Sequence, residues 1–412
     1  MTDPSAQSLT RQRSFVLFWC ARTSTSAAYQ MQAVAVGWQI YDLTRSPLDL
    51  GLVGLVQFFP IVVMALVIGQ VADRYDRRAV ARTCQIVKAC GAAALAIGSA
   101  GGWLGRDAIL AILFVVGTAR AFETPTMHAL VPGIVPPLLL PRAIAASATA
   151  NQTAIIGGPA IGGFLYLFGP AVVYSTCMVV FILAGVLVSL IEAQPQRMDK
   201  QPVSLQSLFA GFAYVRSRPL LLGAISLDLF VVLAGGVTAL LPMFARDILL
   251  TGPEGLGLLR SAPAIGALTI SVVLARQAIE RRAGAILFTS VALFALAIVV
   301  FALSTSFVVS LAALSVYGAA DATSVVIRHS LVQTRTPDEM LGRVMAVNSM
   351  FTGSSGTLGE FRAGALAEWL GPVASALIGG VAALAVTLIW MGAFPDLRRI
   401  DSITVERRAV KV

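Results

Sequence analysis

The sequence predicts an all-α membrane protein with twelve transmembrane helices arranged as two six-helix repeats. Three observations lead there. Of the 412 residues 57% are hydrophobic and 12% charged, and the mean hydropathy is +0.82, a balance foreign to a soluble domain. A bilayer crossing takes about 20 apolar residues, and twelve such stretches occur: 14–41, 48–72, 79–104, 108–127, 142–168, 170–192, 220–246, 254–275, 283–304, 307–331, 342–370 and 372–394. Finally, residues recur at a nearly constant offset. With a shift of 201, Gly117 falls on Gly318, Leu140 on Leu341, Arg142 on Arg343, Ala145 on Ala346, Gly158 on Gly359 and Gly163 on Gly364; with a shift of 203, Gly54 falls on Gly257 and Pro60 on Pro263.

The first span carries Arg22, Tyr29, Gln30 and Gln32 and has no small-residue cleavage site after a short apolar core, so it reads as a retained helix and not a removable signal. Between the second and third spans lies Gly69-Gln70-Val71-Ala72-Asp73-Arg74-Tyr75-Asp76-Arg77-Arg78. Its acids alternate with arginines, so a tight turn can hold several charge-assisted hydrogen bonds and act as a latch; the plainer reading is an ordinary basic loop on the cytoplasmic side. In the fourth span Arg120 and Glu123 sit three residues apart on one helical face, where they can pair. The fifth contains Gly157-Gly158-Pro159-Ala160-Ile161-Gly162-Gly163. Small residues here let helices approach closely and the proline removes a backbone bond, giving a pliable seam or simply a close-packed helix.

The apolar pattern lapses over 193–219, which divides the chain into an N-terminal bundle at 1–192, a linker, and a C-terminal bundle with its tail at 220–412. Within the linker, Leu205, Leu208, Phe209, Phe212 and Val215 fall at helical spacing, predicting an amphipathic helix on the membrane surface. The second half carries buried charge of its own: Asp228, Arg260, Asp321, Arg328, Glu360 and Arg362. An intramembrane ion is costly and normally faces a cavity or a partner. Lys88 and Arg328 are read as snorkelling toward the cytoplasmic interface, and Arg362 as either path-lining or glue within its own half. For Tyr29, Gln30 and Gln32, cavity lining and helix–helix hydrogen bonding are equally open.

The net charge of +9 reflects topology. With both termini inside, the inner segments hold 21 Lys and Arg residues against 3 in the outer loops (Arg45, Arg106, Arg246), which fits the positive-inside rule and argues against a nucleic-acid partner. Four cysteines, Cys20, Cys84, Cys90 and Cys177, show no CxxC pairing and read as packing residues, and His128 and His329 lack a metal partner and read as interface residues. No metal site is expected. No phosphate-binding GxxxxGK[ST] loop occurs, so uphill movement must use an ion gradient.

GQVADRYDRR resembles the loop signature between the second and third helices of the major facilitator superfamily, departing from it at Val71 and Asp76. Gly117-Thr118-Ala119-Arg120 resembles the arginine-bearing fourth-helix motif of proton-coupled members, and the Gly-Pro-x-x-Gly-Gly run resembles the fifth-helix motif of antiporters and exporters. Val36 to Thr44, Ser226 to Phe230, Ala239 to Pro242, Gly342 to Asn348 and Leu358 to Phe361 are similar to the bacterial enterobactin-exporter-like branch. The resemblance implies twelve helices in the bacterial inner membrane, a solute path between the halves, no cofactor, and proton-driven export of a siderophore or hydrophobic drug-like molecule by a monomer. It also implies that Asp73, with Arg74 and Arg78, docks against the eleventh helix to stabilise the outward-open state.

The repeat adds one expectation. Arg120 coincides with Asp321 under the shift of 201, and Arg22 and Asp228 lie 206 residues apart at similar depth. Equivalent places carry opposite charge, which predicts a central cavity with a cationic N-terminal wall (Arg22, Arg120), an anionic C-terminal wall (Asp228, Asp321) and Glu123 as proton carrier. A lipid or lysophospholipid transporter is the competing reading; a non-transporting sensor or scaffold is another, though a scaffold has no need of buried ions.

Overall fold

The computed structural model describes residues 9–64, 67–68, 70–71, 75–192, 205–277, 279 and 281–402, the side chains of 205–208 excepted. Among these residues there is no strand. The principal helices are α1 (Arg13–Thr44), α2 (Pro47–Val63), α3 (Arg77–Ala100), α4 (Arg106–Leu130), α5 (Leu140–Tyr166), α6 (Pro170–Ser189), α7 (Leu205–Ser217), α8 (Pro219–Gly235), α9 (Pro253–Arg276), α10 (Ala283–Leu303), α11 (Phe307–Arg335), α12 (Asp338–Leu370), α13 (Pro372–Ala393) and the short α14 (Pro395–Arg398). Among the described residues, eight helical stretches are long and apolar enough to cross a bilayer. α2, at 17 residues, falls short of the length, and α1, α5 and α12 dilute their apolar content with Ser, Thr, Gln, Gly and charged residues.

Local chemistry explains where helices start. Pro47 sits at the head of α2 behind the cap Ser46, whose Oγ accepts from the Asp49 amide at 3.4 Å. Asp76 caps α3. α6 and α13 start alike: Gly169 (φ 102°) precedes Pro170 and Gly371 (φ 84°) precedes Pro372, a left-handed turn that favours glycine feeding a proline whose missing N–H costs nothing at a helix start.

The chain packs as two compact units, Met1–Pro202 with Leu250–Ser261, and Val203–Leu249 with Ala262–Val412. In the first, α1 packs on α5 and α6, α3 on α4 and α6, and α2 on α4; in the second, α8 packs on α12 and α13, and α10 on α11 and α13. Glycines allow the closest approaches. A Cβ on Gly117 would stand 2.8 Å from the Gln57 backbone, and one on Gly318 would stand 1.9 Å from the Pro263 carbonyl. The fifth-span glycines serve as the sequence suggests for close packing: Gly158 abuts Ala27 and Gln30 of α1, Gly162 abuts Met31, and Gly163 abuts the Pro253 carbonyl, while Pro159 is buried within α5.

Two departures from the sequence reading stand out. The seventh span, expected to be continuous over 220–246, breaks after Gly235 into a 3-10 turn at Thr238–Leu240, one helical turn at Leu241–Met243 and a π turn at Phe244–Ile248. The break coincides with a long-range contact: at Gly236 a Cβ would lie 2.2 Å from the Gly359 carbonyl carbon, so the backbone there is pressed onto α12. Of the four cysteines, Cys84 and Cys177 are buried as packing residues should be, but Cys90 is exposed. The amphipathic helix forms as α7, with Phe209 and Phe212 exposed and Val215 buried in a cluster with Leu221, Ile225, Val332 and Val344.

Candidate functional site

The first unit encloses a polar cavity of about 260 Å³ lined from α1 by Arg22, Thr25, Ser26, Tyr29 and Gln30, from α3 by Lys88, from α4 by Arg120, Glu123, Thr124 and His128, and from α5 by Asn151. Arg22, Tyr29, Gln30, Arg120 and Glu123 are thus brought together as the sequence suggested, but their bonding differs. Glu123 does not pair with Arg120. Its Oε2 accepts from Lys88 Nζ at 2.5 Å and its Oε1 from Gln85 Nε2 at 2.5 Å, with Gln85 also donating to Thr25 Oγ1 at 2.9 Å. Lys88 does not snorkel: its side chain is 1% exposed and Glu123's 8%, and Phe181 lies 4.8 Å beneath the ammonium. A lysine sealed from water must take the nearest carboxylate, while Arg120, on the open side of α4, stacks over the Tyr29 ring at 3.9 Å. Tyr29 is held for this by donating to Gln57 Oε1 at 2.6 Å. Arg22 meets His128 Nε2 at 3.3 Å, its own Nε buried without a partner, and Ser26 donates to Asn151 at 3.1 Å. The cavity therefore holds three cations and one carboxylate, a net excess of positive charge in the form of Arg22 and Arg120.

The second unit buries a different set. Asp228 of α8 forms an ion pair with Arg328 of α11, the two side chains 7% and 8% exposed, and accepts from Thr352 of α12 at 2.8 Å. Arg328 also donates to Ser324 Oγ at 3.1 Å. Arg328 is therefore no snorkelling residue: α11 runs on to Arg335, which leaves it two turns inside. Asp228 does not stand as a free anionic wall, being neutralised within its own unit. Asp321, half-buried beside this pair, has no hydrogen bond or ion pair among the described residues and lines with it a void of about 10 Å³. Glu360 and Arg362 flank the break in the seventh span: Thr238 donates to Glu360 at 2.6 Å, and Arg362 Nη2 donates at 2.5 Å to the Ala234 carbonyl freed where α8 ends. Arg260, in the first unit, donates to the Ala33 carbonyl at 2.6 Å.

Of the turn expected to act as a latch, Gly69, Asp73 and Arg74 lie outside the described residues. Arg77 donates to the Ala129 carbonyl at 2.9 Å, tying α3 to the end of α4; Arg78 donates to the Ile191 carbonyl at 3.1 Å, tying it to the end of α6. Asp76, which departs from the family pattern, accepts from the Arg78 amide at 2.9 Å and from its guanidinium at 3.3 Å. Partial burial pushes the Asp76 carboxyl up, but the Arg78 amide and guanidinium outweigh it and hold it below the ordinary carboxylate value.

Among the polar cavity residues, sequence reasoning missed Thr25, Ser26, Lys88, Thr124, His128 and Asn151, and behind them Gln85, which donates to Glu123. Lys88 carried a usable signal: it lies nine residues into its span, about 14 Å of helix, too deep for the ammonium to reach water.

A family model described as transmembrane secretion effector matches residues 5–410. The enterobactin exporter EntS of Citrobacter koseri is 27% identical over 397 residues, covering 94% of this chain and 93% of that protein, and EntS of an Escherichia coli strain is 26% identical with the same coverage. Among solved structures, a bacterial homologue of the human lysosomal transporter Spinster superposes with a TM-score of 0.69 at 15% identity, covering 94% of this chain and 96% of that one; a D-xylose–proton symporter does so with 0.72 at 11%, covering 93% and 98%. The chain belongs to the transmembrane secretion effector family of the major facilitator superfamily, and is a membrane transporter of small molecules, not an enzyme.

Proposed function

We propose that the protein is a proton-coupled exporter of an anionic, oxygen-rich small molecule of the siderophore class, working by alternating access as a monomer in the bacterial inner membrane. On this reading twelve spans form two six-helix repeats with both termini cytoplasmic, no cofactor is needed, and the proton gradient supplies the energy. The matching helix pairings in the two units, the paired glycine contacts and the twin Gly-Pro helix starts support the repeats. The curated relatives named as enterobactin exporters support the substrate class.

The observation that carries the reading is the surplus positive charge of the first-unit cavity. Lys88 is spent on Glu123, leaving Arg22 and Arg120 to meet an anion, with Tyr29 and the amides of Gln30 and Asn151 beside them. Charge-assisted hydrogen bonds from arginine are the strong ones, and a planar oxygen-bearing ring can replace the Arg120 guanidinium on the Tyr29 face. At about 260 Å³ the cavity sits just below the usual range for a drug-sized ligand, so it takes one arm of a siderophore. A neutral hydrophobic drug gains nothing from two arginines. The test is enterobactin release from cells lacking their own exporter, together with enterobactin uptake into inverted vesicles under an imposed pH gradient. Uptake that follows the gradient in wild type and falls in R22Q and R120Q is the expected result; uptake indifferent to both arginines overturns it.

A further inference from the structure

We propose that Asp321 is the residue that takes up and releases the coupling proton, and that the Asp228–Arg328 pair responds to its charge; this rests on the proton-coupled reading above. Three carboxylates in the two buried sites are candidates, and their bonding separates them. Glu123 accepts from Lys88 and Gln85, and Asp228 from Arg328 and Thr352. Protonating either breaks charge-assisted hydrogen bonds, the strong class of hydrogen bond in a buried site. Asp321 has no such bonds among the described residues, so its proton can come and go at no such cost.

Its surroundings give the proton a path and a consequence. Asp321 lines, with Asp228, Ser324 and Arg328, a void of about 10 Å³, close to the space one water needs when several polar partners surround it. The face opposite comes from α8 and α10, and apart from Asp228 it is apolar: Leu227, Val231, Val291 and Phe294. Of the remaining titratable neighbours, Glu360 of α12 accepts from Thr238 and His329 contacts Asn348 of α12 at 3.4 Å; Tyr317, one turn before Asp321, stacks on Phe294 with ring centroids 4.4 Å apart, and its phenol interacts electrostatically with Asp321. Arg328, two turns along the same helix, is the nearest cation. An ionised Asp321 competes with Asp228 for its guanidinium, and a protonated one leaves the guanidinium to Asp228. Proton occupancy on α11 thereby changes how firmly α8 and α11 are held together.

The experiment is infrared difference spectroscopy of the full-length protein in proteoliposomes, titrated from about pH 4 to about pH 9, which spans ordinary and buried carboxyls. Wild type is expected to show a protonated-carboxyl C=O band that titrates. The band disappears in D321N, shifts in D321E and survives in E123Q. A band that survives in D321N, one lost in E123Q instead, or no titrating band in wild type overturns the assignment. In the same vesicles, enterobactin movement under an imposed pH gradient separates the two ideas. If the band titrates but wild-type movement ignores the gradient, the proton-coupled reading falls and the coupling role with it; if D321N follows the gradient as wild type does, the Asp321 assignment alone falls.

Discussion

Among the described residues each unit buries one ion pair on both sides, but the two pairs are built differently: Lys88 of α3 with Glu123 of α4 in the first, Asp228 of α8 with Arg328 of α11 in the second. Neither is inherited from the duplication. Under the repeat shifts Lys88 falls on Val291 and Glu123 on Ser324, both apolar or neutral. What remains after pairing is of opposite sign in the two units: Arg22 and Arg120 in one, Asp321 in the other. The difference teaches that paired charges hold a bundle together whereas surplus charges are free to act on a ligand or a proton, and that the two kinds cannot be told apart by listing intramembrane ions.

This contrast can be broken at its firmest point first. K88M leaves Glu123 buried without its cation, a loss expected to cost about 3–5 kcal/mol, read as a large fall in the melting temperature of the detergent-solubilised protein. The K88M/E123Q double variant should recover most of it; a double variant as unstable as K88M would show that the pair is not what stabilises the site. R22Q and R120Q should leave stability nearly unchanged, since neither arginine neutralises a carboxylate, while weakening anionic-substrate transport by roughly 10–100-fold, the equivalent of one charge-assisted hydrogen bond. Melting temperatures that drop as far as in K88M would move these arginines into the structural class.

The packing side of the comparison is sharpened by G158A and G359A. Each adds a methyl against a helix backbone at repeat-equivalent positions, α1 in one unit and α8 in the other, and each is expected to cost about 1–3 kcal/mol. Costs that differ severalfold would show that the two units do not share this packing. The smallest effect belongs to Asp76. D76A removes the cap of α3, worth roughly 0.5–2 kcal/mol. Because the folded-state pKa is depressed, the ionised carboxylate's contribution is present above the unfolded value and is lost as pH falls through the folded one; solvent screening at this exposed site keeps it small. A chemical-denaturation series from neutral to acidic pH should therefore show wild type and D76A converging at the acid end.

Much of the fold was readable without coordinates. Hydropathy and the 201-residue offset marked the helical stretches, the amphipathic α7 appeared where the linker pattern placed it, and Gly117, Gly158, Gly163, Gly257, Gly318 and Gly359, singled out by the repeat, are pressed against neighbouring backbones. The break after Gly235 was not readable, because it arises from contact with Gly359, 123 residues away in sequence. The site was legible as a roster and not as a wiring diagram. Arg22, Tyr29, Gln30, Arg120 and Glu123 do share a cavity, yet spacing along α4 suggested Arg120 as Glu123's partner when the partner is Lys88 from α3.

The sequence by itself determined that this chain is a helical membrane protein with a duplicated pattern and with more intramembrane charge than packing requires, because hydropathy, periodicity and residue type are properties of the chain taken one segment at a time. Which charge meets which was decided only by the tertiary structure. Two helices fix the partner of a buried ion by their relative rotation and depth, and in a dehydrated interior the cation with least access to water claims the carboxylate, leaving the better-hydrated Arg22 and Arg120 without one.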